Sequence, residues 1–219
     1  MDLSNLFHLE WETVPFRMIA FVIAFSLHEW AHAFVAWRLG DDTAKREGRL
    51  TINPIPHIDP FGLILILFGP FGWAKPVPVN PLRFRGNKRL GMVYVSAAGP
   101  LVNLLLAVLF VLLFDKVLHA EFFSTLSEKM QYAIFYTLKF SIVINAALLV
   151  FNLLPVPPLD GNKILRYLAP RSMDRFFYNL DTYGPWILLL IIFLPGAGNL
   201  LTIPIQWVIS TIFEVTGVS

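Results

Sequence analysis

Three titratable residues, His28, Glu29 and His32, interrupt an apolar run between Phe25 and Phe34. Their spacing is H-E-x-x-H. On a helix, residues four apart share a face, so both imidazoles can reach one metal ion. Glu29 stands beside the first of them and can take a proton from a water activated by that metal. Zinc suits nitrogen ligands in a tetrahedral site with one position open. The chemistry implied is hydrolysis of a peptide bond. In soluble chains this short motif arises by chance; inside a membrane helix, ionisable groups are costly to insert and mark function.

Two histidines do not complete such a site. The chain has no cysteine. The position six residues after His32, which a soluble metzincin fills with histidine, is Arg38. His57 and His119 are the other downstream histidines, and His119 falls on the opposite side of the membrane. Asp160, in the stretch P-V-P-P-L-D-G-N-K, comes at the end of a later span, on the side where the first span carries its motif. It is the candidate third ligand. The plainer reading is a turn residue before Gly161, or a cap for a helix that begins there.

The elements that must position these residues are membrane spans. The chain of 219 residues is 56% hydrophobic and 15% charged, against about 25% charged in soluble domains. This is a membrane composition, and a net charge of +2 gives no reason to expect a nucleic-acid partner. The acidic N-terminal residues Asp2, Glu10 and Glu12 do not read as a cleavable signal peptide. A first helix is expected from Thr13 as N-cap, with Pro15 in its first turn, to a stop at Gly40. The polar loop after it includes a strand-like piece around Arg49 to Asn53. The stretch H-I-D-P-F-G-L-I-L-I-L-F-G-P-F-G-W-A-K-P-V-P-V-N-P is too broken by Gly and Pro for a comfortable span. It reads as a re-entrant or sheet-like insertion with K-P-V-P-V-N extended; irregular backbone at membrane depth must be buried in protein or line a wet cavity. A second span is expected over about 90–114, a third over about 131–154, and a short amphipathic piece over 164–178. Two accessory spans, about 183–215, join at P-G-A-G-N. Trp73, Trp186 and Trp207 are candidate interface anchors. The fold class is therefore all-α and polytopic, one domain over 1–219, with a three-helix catalytic core in about 14–170.

Lys and Arg cluster at 38–49, 75–89 and 163–175. All three clusters fall on one side when the spans alternate, and the positive-inside rule makes that side cytoplasmic. His28 and His32 lie roughly 9–15 Å from Arg38 along the helix axis. The expected place is a multi-pass protein of the inner (cytoplasmic) membrane, its site within the bilayer toward the cytoplasm.

H-E-W-A-H in one span, followed by N-L-L-P-V-P-P-L-D-G at the end of a later one, resembles the site-2 protease family of intramembrane zinc metalloproteases. N-P-I-P-H-I-D-P-F-G, G-P-F-G-W-A-K-P-V-P-V-N-P and A-A-G-P-L-V-N resemble its short bacterial and archaeal branch. The similarity covers roughly residues 15–170. It implies one zinc per chain, held by His28, His32 and Asp160, with Glu29 as catalytic base. Asn152 matches a family asparagine thought to hold the substrate backbone or its oxyanion, against a plain bond to helix backbone. Asn103 is a weaker candidate for the same work, and Gly99 and Pro100 could simply allow close helix packing. His57 and Asp59 stand between a supporting or gating role and a turn. The loops have no room for the PDZ or CBS domains that many members carry. The expectation is a minimal catalytic unit regulated by its substrate, a partner chain (a second copy included) or gating of its own helices.

The implied partners are the lipid bilayer and a transmembrane substrate protein, whose helix must unwind before attack. K-P-V-P-V-N could pair with the opened strand along one edge, since Pro76 and Pro78 lack N–H groups. Five histidines, two of them in one box, are too few for a diiron membrane oxidase. The surviving alternative is a non-catalytic metal-binding membrane protein or a divalent-metal transporter. Neither has a specific need for Glu29.

Overall fold

The computed structural model describes residues 10–62, 73–193 and 197–218. The apolar centre of the expected insertion, residues 63–72, and part of the last inter-helix junction, 194–196, lie outside them.

Three long helices form the body. Helix α1 spans Val14–Arg38, α2 Lys88–Leu118 and α3 Glu128–Asn152. Each is long and apolar enough to cross a membrane. Pro15 lies in the first turn of α1, where a missing N–H costs nothing. Thr13 caps that helix by position only, because its hydroxyl donates to the Glu10 carbonyl. At the other end, the amide of Asp41 donates to the Ala36 carbonyl, a Schellman closure with Gly40 at the turn. Asn87 is a true cap for α2, accepting from the amides of Arg89 and Leu90.

Lipid offers no hydrophobic drive for helices to associate, so close backbone approach matters. Helix α1 buries Ala20, Ala24, Ala31, Ala33 and Ala36. Leu101, Leu105 and Leu109 on α2 stay exposed, on a face suited to lipid. A separate apolar cluster joins Ala107 and Val111 of α2, Ile142, Val143 and Ala146 of α3, and Leu201, Ile205, Ile209 and Ile212 of the last helix.

The later elements differ from expectation in their boundaries. The amphipathic piece expected over 164–178 is two helices, α4 (Asp160–Leu168) and the start of α5 (Asp174–Phe193). Pro170 separates them, since the residue before a proline is driven out of helical geometry. The final helix, α6, spans Ala197–Thr216.

No strand occurs among the described residues. Ile58 and Ala74 form a single antiparallel bridge at the neck of the insertion. The strand expected around Arg49 to Asn53 is a run of bends. Thr51 Oγ1 and Asn53 Oδ1 accept from amides two residues on, which satisfies the backbone locally instead of through a ladder. Residues 75–80 are extended without regular structure, as expected.

Candidate metal centre

His28 and His32 face the same side of α1, with ring centroids 4.6 Å apart and planes nearly perpendicular. Their Nε2 atoms are 3.0 Å apart. Asp160 Oδ2 lies 3.2 Å from Nε2 of His28 and 3.0 Å from that of His32. All three residues are buried. Among the described residues, this is the group of histidine and acidic side chains whose donor atoms converge within metal-binding reach.

The protons on the imidazoles follow from what lies behind them. His32 Nδ1 faces the Val95 carbonyl at 2.7 Å, so it must donate. His28 Nδ1 faces the amide of Asn103 at 2.6 Å. That amide's orientation is fixed from the far end of a chain. The Ser141 carbonyl can only accept, so it takes the Asn145 NH2 at 2.8 Å. Asn145 Oδ1 then takes the Asn103 NH2 at 2.9 Å, which leaves Asn103 Oδ1 toward His28. With both Nδ1 atoms engaged behind the rings, the two Nε2 atoms face each other and a carboxylate oxygen. Two imidazole nitrogens and one carboxylate oxygen are a donor set that suits zinc.

Each residue is delivered by a different device. The histidines come one turn apart on α1. Asp160 is the first residue of α4, with Leu159 in the N-cap position. Its carboxylate caps nothing: Oδ2 faces the histidines and Oδ1 accepts from Lys163 Nζ at 3.1 Å. Gly161 lets the first turn of α4 sit against the end of α3, because a Cβ there would stand 2.3 Å from the Leu153 carbonyl oxygen. Arg89, in the first turn of α2, holds the other end of α4 by donating to the carbonyls of Arg166, Tyr167 and Ala169.

Gly99 lies directly against the converging rings of His28 and His32. A Cβ on it would stand 2.5 Å from His28 Cε1 and His32 Nε2. Replacing Gly by Ala inside a helix normally stabilises by about 1 kcal/mol. Here Gly99→Ala is expected to weaken zinc binding by roughly 10–100-fold, on the scale of lost outer-shell support. A competition titration with a chromogenic chelator measures this; unchanged affinity would mean the rings can move aside.

Glu29 is buried at 7% exposure and its Oε2 accepts the Val77 amide at 2.8 Å. Lys75 donates its amide to the His57 carbonyl and accepts from Arg49 on its own carbonyl. The donor-bearing edge of K-P-V-P-V-N is therefore turned onto the protein. His57 is buried with its Nε2 on the Thr51 carbonyl, and Asp59 accepts from the amides of Phe61 and Gly62. Asp59 thus closes a local turn, and His57 is held against the Thr51 backbone. Asn152 is half-buried and spends one amide hydrogen on the Leu148 carbonyl. Asn103, fully buried, uses its carbonyl and its amide on His28 and Asn145.

Asn145 was not singled out from the sequence. Its only signal is an amide in the middle of the third span, two helical turns before Asn152. A mid-span asparagine bonded to its own helix looks the same in one dimension.

The family model for peptidase family M50 matches residues 16–192. Among curated proteins, "Putative zinc metalloprotease YwhC" of Bacillus subtilis is 43% identical over 188 residues, covering 85% of this chain and 83% of that one. "Putative zinc metalloprotease Rip2" of Mycolicibacterium smegmatis is 30% identical, covering 90% and 73%. Its Mycobacterium tuberculosis namesake is 29% identical with the same coverage. No solved structure matches.

Proposed function

Since the chain belongs to peptidase family M50, we propose that His28, His32 and Asp160 hold its zinc and that Glu29 is its general base. The protein is an integral membrane metalloprotease of the site-2 type, and its cofactor is zinc. The observation that carries the ligand set is the triangle of Nε2, Nε2 and Oδ2 atoms, each within 3.2 Å of the others.

Held there, zinc would supply Lewis acidity to polarise the scissile carbonyl and activate water. Glu29 takes the proton of the attacking water and delivers it to the leaving amine. Asn103 fixes the ring of His28 and its tautomer. Asn152 keeps a second amide hydrogen with which to orient the substrate backbone or stabilise its oxyanion. The substrate is the transmembrane helix of another protein, opened locally, because helical hydrogen bonds hide its peptide bonds. The core is a single unit over about 14–170, set in the cytoplasmic membrane with the site toward the basic, cytoplasmic side. The charge clusters at 38–49, 75–89 and 163–175 support that orientation.

The test is cleavage of a single-span substrate by detergent-purified protein. Removing the metal with a chelator is expected to abolish cleavage, and about one equivalent of zinc per chain to restore it. Cleavage by demonstrably metal-free protein would refute the proposal. Metal uptake into sealed vesicles without cleavage would favour the transporter.

A further inference from the structure

We propose that the backbone N–H of Val77 is the positioning donor for the catalytic base. The inference rests on Glu29 being that base. A carboxylate on a membrane helix has several rotamers, and a general base must hold one of them. The Glu29 carboxylate is held from outside α1: the Val77 amide, 48 residues on, donates to Oε2 at 2.8 Å. Oε1 is the oxygen assigned to take the proton.

The donor is singular. Pro76 and Pro78 flank Val77 and have no N–H. Within Pro76-Val77-Pro78 one amide hydrogen exists, and it points at Glu29. The segment carrying it is strapped on both sides. Upstream, Lys75 exchanges bonds with the His57 carbonyl at 2.9 Å and with the Arg49 guanidinium. Downstream, the Asn80 amide donates to Asp41 Oδ2 at 2.6 Å. Asp41 and His57 are each 1% exposed, so both straps are anchored in the interior. Asp41 follows the end of α1, the helix that carries Glu29, so base and donor hang from one frame. The insertion thus contributes to the active site through its main chain. Fixed φ at the two prolines keeps the single donor from swinging away.

The experiment compares Val77→Pro with Val77→Ala in full-length protein loaded with zinc. Val77→Pro deletes the N–H and keeps an extended backbone; Val77→Ala keeps the N–H and trims the side chain. A charge-assisted hydrogen bond to a carboxylate is worth enough to expect a fall in kcat of roughly 10–100-fold for Val77→Pro. KM and zinc content should stay within about twofold of wild type, and Val77→Ala should lose at least tenfold less kcat than Val77→Pro. Asn80→Pro, which cuts the downstream strap without touching the donor, should lower kcat by less. Unchanged or raised kcat in well-folded Val77→Pro overturns the inference, a rise meaning that the contact restrains Glu29. Equal losses in both Val77 variants also overturn it, since the side chain would then be responsible. Failure of the underlying reading is seen separately: Glu29→Gln would retain activity.

Discussion

Glu29→Gln is expected to abolish cleavage and leave the metal in place. Glutamine has nearly the shape of glutamate, and its carbonyl can still accept the Val77 amide now bonded to Oε2. The three donor atoms on His28, His32 and Asp160 are untouched. Only the capacity to take a proton is lost. General-base catalysis typically contributes about 10²–10⁴-fold, and cleavage should fall by that much. Initial rates on a single-span substrate, with zinc measured on the same preparation, give both quantities. Zinc at wild-type stoichiometry with activity gone separates a base from a ligand. Activity within tenfold of wild type would remove Glu29 from the mechanism and reopen the transporter reading.

Asp160→Ala attacks the other half of the site. The carboxylate bridges both imidazoles and takes Lys163 on its remaining oxygen. Without it, the two Nε2 atoms keep each other as neighbours at 3.0 Å, and the carboxylate in contact with both rings is gone. The loss in zinc affinity should exceed the roughly 10–100-fold attached to outer-shell partners. Dialysed protein is expected to fall well below one zinc per chain. Thermal unfolding supplies an independent check: added zinc should raise the Tm of wild type and leave the variant where it was, since a ligand stabilises only the state that binds it. Because Asp160 caps no helix, α4 should survive the change, and circular dichroism should show it. Stoichiometric zinc in Asp160→Ala would send the search for a third ligand to His57.

The two parts of the site were unequally legible in the sequence. H-E-x-x-H is local: one helix brings its residues together, and apolar surroundings mark that helix as a span. The three long helices are recovered within a few residues for the same reason. Asp160 was legible only with an alternative beside it, since Asp-Gly is also common turn chemistry. What decides its contacts is Gly161 against the Leu153 carbonyl, a contact between helix ends that no local pattern encodes. The strand expected near Arg49 failed because Thr51 and Asn53 bond their own backbone. The Val77–Glu29 contact could not be read at all. Prolines at 76 and 78 announce an extended segment with few donors, but not where its one donor points. Asn103 drew attention as a possible substrate contact, and its partner Asn145 drew none. Both lie in helices whose sequences fit lipid-facing spans equally well.

The amide chain from His28 through Asn103 and Asn145 to the Ser141 carbonyl touches α1, α2 and α3 in turn. Leucine gains little by facing a neighbouring helix instead of a lipid tail, so apolar faces say little about how far each span should rotate or how deep it should sit. A hydrogen-bonded amide does say so. Rotating any of the three helices by one residue breaks a link and strands a polar group in hydrocarbon. The same links that aim an imidazole therefore act as an assembly gauge, accepting one rotational and vertical setting of the bundle. Catalytic geometry and membrane folding share a checkpoint: a bundle that closes with this chain intact has already aimed His28.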